Sequence, residues 1–239
     1  MPKVNVILSP GFWDEKIAEN KQIVVIDIFR ATSTICAALH YGATSVLPVI
    51  DASNTMLYAK KNYITAGERE GKTLPGFDFG NSPVLIQDPK ILGKKIALTT
   101  TNGTKCLSLA KNAAKSKIFS GSFLNIAATA RILSKNYDDV ILFCSGWKNE
   151  FNLEDTLYAG ALVNLLSKDF EIESDAAFMA ANLYQNAAKI GLEKFITNSS
   201  HLKRLSKYDA EGDIKLCLSK DICHKVVVLE NDELVLLKE

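Results

Sequence analysis

Residues 21–39, K-Q-I-V-V-I-D-I-F-R-A-T-S-T-I-C-A-A-L, decide how the rest of the chain is read. Ile23 to Ile26, with Ile28 just past an acid, form a short unbroken apolar run, the pattern of a strand buried on both faces of a sheet. Asp27 stands where that strand should stop. Arg30, Thr32, Ser33 and Thr34 follow, and then the helical spacing of Ile35, Ala38 and Leu39. A strand that ends in a carboxylate and hands over to Arg and hydroxyls at a helix N-terminus is where an α/β protein places an anion and its metal.

Outward from this stretch, residues 4–8 and 45–50 read as strands and 32–40 and 52–61 as helices. That alternation predicts a three-layer α/β/α fold around a mostly parallel mixed sheet. Residues 1–239 are expected to form one catalytic unit. Two α/β lobes, about 1–118 and 119–239, with the site between them, are the other organisation the pattern allows. The tail ends in two apolar runs around Asn231-Asp232, a terminal hairpin.

Two further strand-to-helix junctions carry polar chemistry. A strand over 94–98 runs into Thr99, Thr100, Thr101, Asn102, Gly103 and Thr104, ahead of a helix over 105–115. Hydroxyls and free backbone N–H groups there make an anion cradle without the Lys of a Walker motif, or else a plain helix cap. A strand over 139–143 leads through Cys144-Ser145-Gly146 to Glu154-Asp155 at the head of another helix. These acids either complement the helix dipole or join a cation site. Between the junctions, residues 64–89 hold four Gly and three Pro in 26 positions, with Glu68, Arg69, Asp78 and Asn81 among them. The segment reads as an ordered loop lying over the site. Against 24 Lys the chain has only four Arg (Arg30, Arg69, Arg131 and Arg204), each a candidate for a place that needs a bidentate donor.

Composition narrows the classes. A net charge of +1 supplies no field to draw the protein to nucleic acid or a membrane surface. No run has the length of a membrane span, and the N-terminus lacks the apolar core of a signal peptide. Five scattered cysteines read as reduced thiols of a cytoplasmic protein, and the Cys217, Cys223, His224 spacing fits no standard zinc set. Hard oxygen ligands without His or Cys clusters favour Mg²⁺, and beside an anion cradle they suggest phosphoryl transfer or phosphate ester hydrolysis. Two phosphatase designs are excluded. The haloacid-dehalogenase pattern needs Asp where Phe29 stands, and the cysteine-phosphatase loop needs Arg where Glu150 (from Cys144) or Asn112 (from Cys106) stands.

V-V-I-D-I-F-R-A-T-S-T, A-G-E-R-E, G-F-D-F-G-N-S-P, T-T-N-G-T, C-S-G and L-E-D-T-L-Y-A-G-A-L occur in this order along the whole chain. In them, and more weakly in S-H-L-K-R-L around His201 and in Asp213, Cys217 and Asp221, the chain resembles the 2-phosphosulfolactate phosphatases. The resemblance implies a Mg²⁺-dependent hydrolysis of 2-phospho-3-sulfolactate to 3-sulfolactate and phosphate, a step of coenzyme M biosynthesis. The chain departs from that pattern at Ser200 and at Trp147-Lys148-Asn149. On this reading Asp27, Arg30 and Asp155 are the catalytic set, with Asp27 a metal ligand or attacking carboxylate. Glu154 or Asp155 completes the metal shell. Arg30 with Thr100, Thr101, Asn102, Gly103 and Thr104 holds the phosphate. Arg69 and His201 take the sulfonate or carboxylate, or protonate the leaving oxygen. The expected partner is a small anionic phosphorylated substrate, with a homo-oligomer left open. A phosphatase for another small phosphorylated hydroxy acid and a non-catalytic anionic-metabolite binding protein are the competing readings.

Overall fold

Gln22–Ile26 is buried at every position, and its side chains alternate between two separate cores: Val24 and Ile26 on one side, Ile23 and Val25 on the other. A strand that serves two cores sits inside a sandwich of helix layers. The computed structural model describes residues 1–113, 117–205 and 211–238.

In chain order, the first half contains β1 (Lys3–Ile7), α1 (Glu15–Ala18), β2 (Gln22–Ile26), α2 (Ala31–His40), β3 (Ser45–Pro48) and α3 (Ala52–Ala59). It continues with β4 (Ile64–Arg69), β5 (Lys72–Thr73), β6 (Lys95–Thr99), α4 (Gly103–Ala113) and β7 (Ile118–Gly121). The second half contains α5 (Ile126–Asn136), β8 (Val140–Cys144), α6 (Leu153–Leu166), β9 (Glu171–Ile172), α7 (Asp175–Ile190) and α8 (Leu192–Ile196). It closes with α9 (Ser200–Leu205), α10 (Glu211–Leu218), β10 (Val227–Glu230) and β11 (Glu233–Leu236). The helix expected over 105–115 begins two residues earlier, and its end past Ala113 lies outside the described residues.

All strands join one mixed sheet, in the order β5-β4-β6-β3-β11-β10-β7-β2-β8-β1-β9. One core lies between the sheet and α5, α6 and α7, the other between the sheet and α2 and α4, which makes the fold three-layer α/β. The terminal hairpin forms at Asn231-Asp232, both left-handed (φ 46 and 73), as a two-residue turn of this kind requires.

That hairpin does more than end the chain. β10 and β11 pair antiparallel with β7 and β3, so they splice two parallel groups, β3-β6-β4 and β7-β2-β8-β1, that run in opposite senses where they are joined. The expected single rim of one parallel sheet is therefore replaced by two groups. Five strand steps separate β2 from β6. A twist of about 20–25° per step turns one group by roughly 100–125° against the other. The C-terminal ends of β2 and β6 still meet: a Cβ on Gly103 would lie 2.6 Å from Ala31 Cβ and 2.8 Å from Asp27 Oδ2.

The second correction concerns residues 64–89. The segment opens with a true strand, β4, paired in parallel with β6, and turns back through Glu70 (φ 54) and Gly71 (φ 83) into β5. I-T-A-G-E-R lacks an apolar run, which hid the strand from periodicity. Gly67 is required there, because a Cβ would sit 2.6 Å from the Thr99 side chain of the neighbouring strand. Among the described residues no helix is long and apolar enough to cross a membrane.

Candidate active site

The ladder of β2 stops at Asp27 because side chains take over its backbone groups. Asp27 N–H donates to Thr32 Oγ1 (3.1 Å), and Thr32 Oγ1 donates back to Asp27 C=O (2.9 Å). Ser33 Oγ donates to Ile28 C=O (3.0 Å). The hydroxyls expected to face an anion are thus spent on folding the turn, and Thr32 and Ser33 are fully buried. The turn aims the Asp27 carboxylate outward. Its Oδ1 accepts one long bond from Ala31 N–H (3.3 Å), and Oδ2 has no donor among the described residues. Burial, opposed by the nearby His201, pushes the Asp27 carboxyl up to about 6.

The β6–α4 junction divides the polar residues expected to form a cradle. Thr100 and Thr104 close on each other: Thr104 Oγ1 donates to Thr100 C=O (2.9 Å) and Thr104 N–H to Thr100 Oγ1 (3.2 Å). Thr101 donates both its N–H and its hydroxyl to Glu68 Oε1, each at 2.9 Å. The N–H groups of Asn102 and Gly103 have no acceptor among the described residues. These two amides, at the positive end of the eleven-residue α4 and beside Asp27 Oδ2, are the anion-binding part of the cradle.

Glu154 and Asp155, adjacent in sequence, do different jobs. Glu154 is fully buried and takes His201 Nδ1 at 2.5 Å and the Ser199 hydroxyl at 3.1 Å. A buried carboxylate on Nδ1 fixes the imidazole's orientation and leaves Nε2 as the ring nitrogen without a hydrogen-bond partner among the described residues. Asp155 has its oxygens taken by three N–H donors: Ile28 (2.8 Å), Gly146 (3.1 Å) and the Asn152 side chain (2.9 Å). Burial and the Asp27 charge push its carboxyl well up, against those amides. Asp155 ties the turn after β2 to the turn after β8.

These turns enclose a cavity of about 240 Å³, lined by Asp27, Arg30, Glu68, Thr100, Asn102 and His201 among others. That is below the range of drug-sized pockets and suits a small metabolite. Arg30 reaches it braced by Asp213 (Nη1 to Oδ2, 2.6 Å), which also takes the Ser82 hydroxyl (2.5 Å). Three expectations are corrected here. Arg69 does not line the cavity, since it donates to Glu68 C=O (2.7 Å), Ile50 C=O (3.1 Å) and Thr99 Oγ1 (3.0 Å), sewing β4 to its neighbours. Thr104 is buried behind Thr100. Glu154 and Asp155 do not line the cavity beside Asp27, and their oxygens face His201, Ser199 and three N–H donors instead. Glu68, Asn81, Trp147 and Arg204 also line the cavity. Glu68 and Asn81 are signalled by their place in the 64–89 segment and Arg204 by the scarcity of Arg in a Lys-rich chain, whereas Trp147 stands out only as a departure from the family pattern.

Among the described residues no group of three or more His, Cys, Asp or Glu is placed to hold a metal ion, Cys217, Cys223 and His224 included. Mg²⁺ does not require such a cage: it keeps several waters and is commonly held by one or two carboxylates plus substrate phosphate. The bare Oδ2 of Asp27, at the wall of the cavity, fits that mode. An anionic oxygen without a donor is stabilised by a cation.

Comparison with known proteins bears on the same residues. The family model for 2-phosphosulpholactate phosphatase matches residues 8–232. A Thermotoga petrophila protein named a probable 2-phosphosulfolactate phosphatase is 36% identical over 98% of this chain and 98% of its own length. Clostridium perfringens and Caldanaerobacter subterraneus proteins of the same name are 34% and 35% identical, over 97% and 91% of this chain and 95% and 91% of their own lengths. With cavity-lining Asp27, Glu68, Thr100 and His201 all inside the matched span, the chain belongs to the 2-phosphosulpholactate phosphatase family.

Proposed function

We propose that the protein hydrolyses 2-phospho-3-sulfolactate to 3-sulfolactate and phosphate with Mg²⁺, the step that coenzyme M biosynthesis requires. One observation carries this reading: the bare Oδ2 of buried Asp27 lies beside the free amides that start α4, in a cavity also lined by a carboxylate-oriented histidine. A phosphate ester needs those three things: a place for its charge, a cation holder and a proton donor.

The amides of Asn102 and Gly103 bind the phosphoryl oxygens, and Arg30, held rigid by Asp213, adds a guanidinium. Asp27 holds the cation, which when bound supplies Lewis-acid neutralisation of phosphoryl charge. His201 gives its Nε2 proton to the ester oxygen as the bond from phosphorus to that oxygen breaks, and buried Glu154 stabilises the imidazolium that does so. The requirement for a buried carboxylate on Nδ1 distinguishes this from a plain binding site, where no proton need move.

Phosphate release from 2-phosphosulfolactate, 2-phospholactate and phosphoglycerate, each with Mg²⁺ and with EDTA, tests the proposal. Preferred turnover of the sulfonated ester, lost in EDTA, is expected. Turnover of the non-sulfonated acids alone would remove the substrate assignment. Tight Mg²⁺-dependent binding without turnover would make the protein a binder.

A further inference from the structure

Three arginines come near the cavity, and they are not equivalent. Arg30 is neutralised by Asp213, and Arg69 is used up on Glu68, Ile50 and Thr99. Arg204 lines the cavity with no salt bridge among the described residues: buried Glu154 acts on it only through space, and its one hydrogen bond is a long contact from Nη1 to Ser200 Oγ (3.4 Å). Its guanidinium lies 4.6 Å from the centroid of Trp147.

Trp147 is held in place by its own backbone. Its N–H donates to Glu150 C=O (2.8 Å) and Glu150 N–H donates back to Trp147 C=O (2.9 Å), closing a two-residue hairpin. Lys148 (φ 52) and Asn149 (φ 66) occupy the left-handed turn positions, and Ser9 Oγ donates to Asn149 C=O (2.7 Å). Gly146 is obligatory before it, since a Cβ would lie 2.1 Å from Glu150 C=O. Asn81, 95% buried, also lines the cavity, and its side-chain oxygen has no partner.

We propose that Arg204, laid on the face of Trp147, is the specificity-determining residue that takes the substrate's sulfonate, apart from the phosphate site at Asp27 and the start of α4. This rests on the reading of the cavity given above. The substrate brings three anionic groups into a space already lined by Asp27, Glu68 and Glu70. Without an unpaired cation the third anion would be repelled. A sulfonate spreads its charge over three oxygens and is weakly hydrated. It suits a planar guanidinium whose other face is covered by indole better than a compact ammonium. Trp147 also offers apolar surface to the adjoining methylene, and the Asn81 side-chain N–H, not its acceptor oxygen, is the group that can donate to a sulfonate or carboxylate oxygen.

Kinetics on 2-phosphosulfolactate and on 2-phospholactate, which keeps the phosphate and carboxylate but lacks the sulfonate, test this. Arg204→Gln should raise KM for the sulfonated ester about 10- to 100-fold, the loss of one charge-assisted pair, with kcat within about threefold. KM for 2-phospholactate should stay within about twofold, so that discrimination collapses. Trp147→Phe should fall between wild type and Arg204→Gln, and Arg204→Lys should recover only part of the loss. Equal losses on both esters, or a fall in kcat alone, would overturn the assignment. Calorimetry with 3-sulfolactate and with inorganic phosphate keeps the two readings separable. Should wild type turn over no ester, the proposed function fails. Arg204→Gln must still bind 3-sulfolactate at least tenfold more weakly than wild type and phosphate unchanged; equal 3-sulfolactate affinity overturns the subsite.

Discussion

Asp27, at the end of β2, and Asp155, in the first turn of the helix that follows the neighbouring parallel strand β8, are both buried carboxylates, and the fold uses them in opposite ways. Asp155 receives three N–H donors and becomes a joint between two turns. Asp27 receives one long bond and keeps an oxygen bare toward the cavity. Burial raises both carboxyls, so exposure alone does not separate them. What separates them is the supply of donors. A buried acid that the backbone satisfies is structural, and one that the backbone leaves wanting is available to a ligand.

The largest test of that contrast pairs two substitutions. Asp27→Asn should cut phosphate release at least about 10³-fold, through loss of a group that acts on the reacting phosphoryl, while leaving the melting temperature unchanged or raised. Asp155→Ala should cost about 3–5 kcal/mol of unfolding free energy, since it orphans three buried donors. Denaturant titration reads the second effect and a phosphate assay the first.

The metal-free protein should also show the contrast as a pH dependence. The Asp27 carboxyl titrates at about 6 in the fold against 3.8 in the open chain, so between those values the folded state holds a proton that the unfolded chain has released. Stability is therefore complete below about pH 4 and falls as pH rises to 6, by about 3 kcal/mol. Asp27→Asn removes this part of the slope, and excess Mg²⁺ restores stability at neutral pH in wild type. Thermal melts in EDTA from pH 4 to 7 measure it.

Smaller effects sharpen the picture. Glu154→Gln should lower kcat about 10- to 100-fold with little change in KM, because Glu154 acts through the orientation of the imidazole rather than on the substrate. Arg69→Met should cost about 1–2 kcal/mol of stability and leave KM within about twofold, as a residue that only joins strands would.

The sequence could be read where the determinants are local. The turn at Asn231-Asp232 and the apolar strand ahead of Asp27 are each specified within a few residues and form as expected, and the Thr–Asn–Gly stretch does join a strand to a helix, though with its polar groups divided. Glu154 and Asp155 could not be told apart, because neighbours on a helix point about 100° apart and only the packing partner decides which faces what. Strand β4 was hidden because Gly67 and its polar neighbours suit a close approach to Thr99 rather than an apolar run. Trp147 and Arg204 reach the cavity, and Asp213 reaches Arg30, only through tertiary structure. The rarity of Arg flagged Arg204 without saying where it would lie.

The account turns on Asp27 being the carboxylate that meets the cation. Anomalous scattering from crystals soaked with Mn²⁺ and 3-sulfolactate tests this most directly. The expected result is a single peak bonded to Asp27 Oδ2, with Glu154 still on His201 and Asp155 still on its three amides. A peak bonded to Glu154 or Asp155, or one away from Asp27, would contradict it.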